Sequence, residues 1–185
     1  MAPLMMGLAF CATPIVRLIL TEKWLPCVPY LQIFCITYMF WPIHTANLNA
    51  INAMGRSDYF LKLEIAKKAI GMILLLSTMH FGVMVMAYSL LVSTVTSMII
   101  NSWPNKTLLG YSFKEQMVDI FPGIFLALIM GIAISLIRLL MLPDIVTLAI
   151  QILVGAAIYI GLSAIFKVES FEYLWNMVKS VLNKK

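Results

Sequence analysis

The groups best equipped for chemistry in this chain are gathered between Trp41 and Lys68. His44, Thr45, Asn47, Asn49 and Asn52 sit inside an otherwise apolar run, which ends at Gly55. Gly55-Arg56-Ser57-Asp58 then makes a tight charged turn, and Lys62, Glu64, Lys67 and Lys68 open the next apolar run. Amides, a hydroxyl and an imidazole offer donors and acceptors suited to sugar hydroxyls or phosphate. Arginine and lysine add charge-assisted bonds to a diphosphate. The same residue types also have purely structural uses. Asparagine between helices is hydrogen-bonding glue, and basic residues at a span end set its orientation. At 100° per residue Thr45, Asn49 and Asn52 fall within about 60° of one another, with His44 and Asn47 on an adjacent sector. Both uses stay open for this wedge, and His44, Asn47, Asn49, Asn52, Arg56 and Lys62 are the candidate substrate contacts.

Other chemistry is missing. There is no Ser/His/Asp or Cys/His arrangement, no HExxH, no GxGxxG and no P-loop. Acidic residues cluster at the ends of apolar runs, so no buried carboxylate pair is expected for acid–base work. His44 and His80 are separated by a whole run, which argues against a histidine-based metal site. Cys11, Cys27 and Cys35 give neither an even framework nor a CxxC pair. The expectation is a protein that is not an enzyme and carries no cofactor, metal or disulfide.

The elements that must hold the wedge follow from composition. Of 185 residues, 62% are hydrophobic and 11% charged, too few polar groups to cover a water-soluble surface. The fold class expected is all-α, a polytopic transmembrane bundle. With about 20 residues per crossing, six spans are read at 2–20, 28–54, 59–79, 83–103, 117–142 and 145–166. The joins are TEKWLPC, GRSD, an HFG corner, a PNKTLLGYSFKEQ loop and a Pro143-Asp144 corner. The formal charge is +5, and the basic residues lie beside apolar spans, which points to orientation signals rather than nucleic acid. If faces alternate, Arg56, Lys62, Lys67, Lys68, Lys106, Lys114, Lys167, Lys179, Lys184 and Lys185 share one side with both termini. Only Arg17, Lys23 and Arg138 lie opposite. Both termini are therefore expected in the cytoplasm.

Several local features belong to these elements. Arg17, near the end of the first span, either lines a polar path or snorkels outward beside Glu22, with Trp24 as an aromatic anchor. Pro42 should kink the second span. Gly55 suits a helix C′ position, Ser57 or Asp58 a helix cap, and Asp58–Lys62 and Glu64–Lys68 are pairs at favourable spacing. Ser89, Ser93 and Ser97 make a small-residue face, as do Gly123, Ala127, Gly131 and Ser135, and Gly155, Ala157 and Gly161 in the last span. The tail reads as a weakly amphipathic helix on the cytoplasmic interface. The chain lacks a basic n-region and starts almost directly inside an apolar run, so it is expected to be a fragment of a longer membrane protein.

A resemblance runs through the chain in order. It is carried by Glu22-Lys23-Trp24 with Pro26, Asn47-Leu48-Asn49, Gly55-Arg56-Ser57-Asp58, Leu61-Lys62-Leu63-Glu64-Ile65 and Lys67-Lys68. It continues through Leu108-Leu109-Gly110-Tyr111-Ser112, Gln116, Asp119-Ile120-Phe121-Pro122 and Phe166-Lys167-Val168-Glu169-Ser170-Phe171. In these residues the sequence resembles the C-terminal part of bacterial polysaccharide and O-antigen flippases. These belong to the multidrug/oligosaccharidyl-lipid/polysaccharide exporter superfamily. Thr21 stands where glycine is expected. The resemblance implies a two-lobe transporter moving undecaprenyl-diphosphate-linked sugar units across the inner membrane by alternating access. On that pattern 1–142 is the second lobe plus the first helix of a terminal hairpin. Residues 143–166 are then the last span, and 167–185 a cytoplasmic amphipathic tail. The implied partners are the lipid-linked oligosaccharide, membrane lipids, and a polysaccharide polymerase with other assembly proteins, without nucleic acid. The alternatives are a non-transporting fragment or accessory packing subunit, and a multidrug exporter relative.

Overall fold

The computed structural model of the chain describes residues 1–166 and 168–182. Among these the protein is all helical, without a strand. The helices are α1 Ala2–Phe10, α2 Ala12–Leu20, α3 Val28–Met39, α4 Trp41–Ala53, α5 Ser57–Thr78, α6 Val83–Leu109, α7 Phe113–Leu136, α8 Asp144–Ile165 and α9 Glu169–Leu182. Among the described residues, three stretches are long and apolar enough to cross a membrane: Val83–Leu109, Phe113–Leu140 and Asp144–Ile165. The pair α1 and α2, bent by 66° at Cys11, makes a fourth if taken as one. The remaining two expected spans fall short for visible reasons. A break at Phe40 leaves α3 and α4 with 12 and 13 residues, and α5 carries Lys62, Glu64, Lys67 and Lys68 in its first half.

Neighbours in the chain and distant helices both lie side by side: α1 on α3 and α7, α6 on α5, α3 and α4, and α8 on α7 and α2. Small residues set these approaches. A Cβ added at Gly131 of α7 would overlap the Phe10 ring of α1, and one at Gly155 of α8 would lie 3.3 Å from Ile134 of α7. Gly71 of α5 faces Ser93 of α6, and the Thr78 and Ser89 hydroxyls meet at 3.2 Å. The small faces expected on α6 and α7 are therefore packing faces at these positions, whereas Gly123 and Gly161 have open space beside them. Large apolar side chains such as Ile73, Val118, Leu139 and Leu153 point outward. That is the surface of a protein suited to lipid rather than water.

Pro42 acts as expected. It takes the second position of α4, where a missing N–H costs nothing, and the chain bends just before it. Gly55 takes the positive φ of +69° that ends α4. Other local expectations are corrected. Arg56 occupies the N-cap of α5 and no side chain caps that helix. Asp58 instead turns back to Arg56, at 3.1 and 3.2 Å, and Glu64 pairs with Lys67 one turn on. The expected pairs Asp58–Lys62 and Glu64–Lys68 are not made, because each carboxylate has found a cation nearer its own rotamer.

The long loop expected at 104–116 shrinks to Gly110-Tyr111-Ser112. Helix α6 continues through Pro104 to Leu109, then stops at Gly110 with φ +68°. A proline in a helix interior costs about 3 kcal/mol, but Ser102, Pro104 and Asn105 are all buried against neighbours that hold the turn. Helix α7 starts four residues earlier than expected because Ser112 and Glu115 form a capping box, with Ser112 N donating to Glu115 Oε2 at 2.6 Å. Arg17 sits 3.5 Å from Glu22, as anticipated, but also donates to both oxygens of Asp144 at 3.2 and 3.3 Å, fastening α2 to α8. In α9, Phe171 stacks on Trp175 at 6.1 Å and Lys179 lies over the Trp175 ring. Of the expected tail, Lys167 and residues 183–185 lie outside the described residues.

Candidate functional site

Helices α4, α5 and α6 enclose a groove of about 360 Å³ beside the middle turns of α5 and α6. His44 and Trp41 enter it from α4, Glu64, Lys67 and Lys68 from α5, and Ser93 and Ser97 from α6. Helical spacing explains the gathering. On α5, residues 64, 67 and 68 are one turn apart and share a face, and Ser93 and Ser97 share a face on α6 in the same way. Lys67 is largely enclosed, its side chain 13% exposed, and it donates to Glu64. Lys68 makes no ion pair within the described residues. An ammonium–carboxylate pair in an otherwise apolar bundle is expensive to desolvate, so its presence points to a polar path or a bound polar group. Lys62 is 140° around α5 from Lys67 by helical geometry, and it is exposed outside the groove.

One turn further toward the same end of the bundle, Asn47 of α4 is buried among side chains of α6 and α7. Its Nδ2 donates to Gln116 Oε1 at 2.8 Å and to Ser102 Oγ at 3.3 Å. Its Oδ1 accepts from Asn105 Nδ2 at 2.5 Å. Asn101 Nδ2 lies 3.2 Å from His44 Nδ1, linking this network to the groove. Asn101 Oδ1, Asn105 Oδ1 and Gln116 Nε2 have no partner among the described residues, which leaves the network capacity for a water or a polar ligand group.

The sequence-predicted residues therefore separate. His44 lines the groove and Asn47 is locked in the amide network. Asn49 and Asn52 are exposed and lie outside the groove, whereas Thr45 is exposed at the groove's lining, its hydroxyl bonding back to Trp41 O. Arg56 is at the turn, forked onto Asp58 and 4.4 Å over the Tyr59 ring. The hydrogen bond from Arg56 is the main reason that the Asp58 carboxyl is held below its ordinary range. Sequence reasoning missed Asn101, Ser102 and Asn105 because Pro104 made their surroundings read as the start of a loop. The available signal was Asn101 and Asn105 at i,i+4 beside an amide-rich neighbour. Sequence reasoning also gave Lys67 an orienting role at the span end, whereas it turns inward to pair with Glu64.

A second cavity, about 480 Å³ and almost wholly apolar, lies between α1, α7 and α8. Gly7, Cys11, Met130 and Gly155 line it, together with Gln151, whose amide donates to Ile134 O at 3.0 Å. It offers shape for an acyl chain or a helix, but little that could do chemistry. Comparison with known proteins adds no name to either cavity: no family model, no curated protein and no solved structure matches this chain.

Proposed function

We propose that this chain is the C-terminal part of a bacterial inner-membrane exporter that flips undecaprenyl-diphosphate-linked polysaccharide units by alternating access. In that reading the six spans at 2–20, 28–54, 59–79, 83–103, 117–142 and 145–166, with ends adjusted to the helices above, all cross the membrane. Both termini face the cytoplasm. The observation that carries the proposal is the Glu64–Lys67 pair with Lys68 and His44 in one groove. A phosphate entering the groove meets Lys68 first and can take Lys67 from Glu64, exchanging one charge-assisted bond for another. Ser93, Ser97 and His44 offer hydrogen bonds to sugar hydroxyls. Arg56 and Lys62 then wait at the cytoplasmic mouth, the side expected from the charge asymmetry, where the lipid-linked substrate would enter.

The test is flux of a fluorescent lipid-linked oligosaccharide through proteoliposomes carrying the full-length protein. Lys67→Gln and Lys68→Gln should each cut flux about tenfold or more, the loss of one charge-assisted bond in the path. Unchanged flux at equal insertion would confine these residues to packing. A second reading, an accessory subunit that acts only through helix packing, is favoured by the Asn47 network. On that reading Asn47→Ala abolishes assembly with a partner while the lysine variants stay silent.

A further inference from the structure

At the opposite end of the bundle from Asn47, the ends of α2 and α7 and the start of α8 enclose a polar pocket of about 260 Å³. Its polar side chains are Thr13 and Arg17 from the bent first pair, Arg138 from the 3-10 turn Ile137–Leu140, and Asp144 and Thr147 from α8. The five do not share the pocket equally. Asp144 is already forked by Arg17, and Thr147 gives its hydroxyl proton to Leu142 O at 3.1 Å. Arg138 is different. No carboxylate lies within ion-pair distance among the described residues, and its one hydrogen bond is to Thr13 Oγ1 at 3.4 Å. Thr13 accepts that bond and so keeps its own proton to donate. Arg17 Nε is buried with no hydrogen-bond partner, its distance to Glu22 being 3.5 Å, and Glu22 is 79% exposed outside the pocket.

We infer that this pocket binds a phosphate group, held by Arg138 and the Thr13 hydroxyl with Arg17 completing the positive wall. Within the pocket two guanidiniums face one carboxylate, which leaves one positive charge for an anion. A planar guanidinium matches two phosphate oxygens at once, which an ammonium cannot do. The surroundings indicate how the phosphate arrives. Met141 and Leu142 line the pocket, and their chain neighbours Leu139, Leu140 and Ile145 are large apolar side chains exposed at the surface. A polar pocket beside apolar surface at the end of membrane-length helices fits a headgroup above acyl chains. The inference rests on the membrane character of the bundle and is independent of whether the chain transports sugar.

The experiment is calorimetric titration of the intact chain in detergent with three probes: dihexanoyl phosphatidylglycerol, inorganic phosphate and dihexanoylglycerol. Saturable binding of phosphatidylglycerol is expected, weakened about tenfold in Arg138→Gln, severalfold in Thr13→Val, and to a degree between the parent and Arg138→Gln in Arg138→Lys, which keeps the charge and loses the fork. The Arg138 variants change an exposed side chain, so their helix content should match the parent. Competition by inorganic phosphate supports the site. If phosphate binds as tightly as the lipid, the site stands with a free anion as its source. Equal binding of dihexanoylglycerol, or phosphatidylglycerol binding unaltered in Arg138→Gln, overturns the inference.

Discussion

Asn47 serves three neighbours at once, Gln116 and Ser102 through its amide nitrogen and Asn105 through its oxygen. Asn47→Ala strands all three in a buried place and should destabilise the bundle by about 1–3 kcal/mol, read from unfolding in mixed detergent micelles. Asn49→Ala, at an exposed position, should fall within about 0.5 kcal/mol of the parent. Tyr111 offers a pH test. Its hydroxyl donates to Asp119, and that bond, with some desolvation, pushes the phenol up to about 12. The folded protein then holds this proton when the unfolded chain, near pH 10, has lost it. The contribution is complete below pH 10 and vanishes as the pH rises towards 12. Ultraviolet titration should show a tyrosine ionising late, brought back toward the ordinary range in Asp119→Asn. At this scale the sequence shows which residues are polar but not which way they turn. Asn47 and Asn49 stand two apart on one helix, and only the arrival of α6 and α7 decides that the first is buried and the second is not.

Helix contacts in this bundle depend on missing side chains. Gly131→Ala would drive a methyl group into the Phe10 ring, forcing α1 and α7 apart for about 1–3 kcal/mol. Gly123→Ala, eight residues away with open space, should be neutral or stabilise by up to about 1 kcal/mol. Thermal unfolding of the two variants in one detergent separates the cases. Hydrophobic run length was a good guide to where helices lie: α5, α6, α7 and α8 begin within a few residues of the positions read from sequence. Proline was the poorer guide. Pro42 marks a break and Pro104 does not, since α6 is held through Pro104 by buried contacts of Ser102 and Asn105 that no local rule can see. The Ser112–Glu115 capping box was legible as S-x-x-E ahead of an apolar run, and it accounts for the early start of α7.

The bundle has two unlike ends, separated by about 33 Å along α7 and its extension, from Gln116 to Arg138, at 1.5 Å per residue. The proposed orientation puts Lys62 inside the cell and Leu139 outside. In a background without the three native cysteines, Leu139→Cys should react with an impermeant maleimide in intact cells, and Lys62→Cys only after permeabilisation. The reverse pattern would invert the topology. The expectation of sidedness comes from basic residues alone, whereas the Arg17–Asp144 link has no signal in the sequence, because 127 positions separate its members. That link also has a practical corollary. One extremity of the molecule is clasped by opposite charges and the other by neutral amides, so added sodium chloride should slacken the first and leave the second untouched. Hydrogen–deuterium exchange followed across a salt series would then show protection fading around residues 17–20 and 144–147 alone, a molecule that unzips from whichever extremity the solvent can discharge.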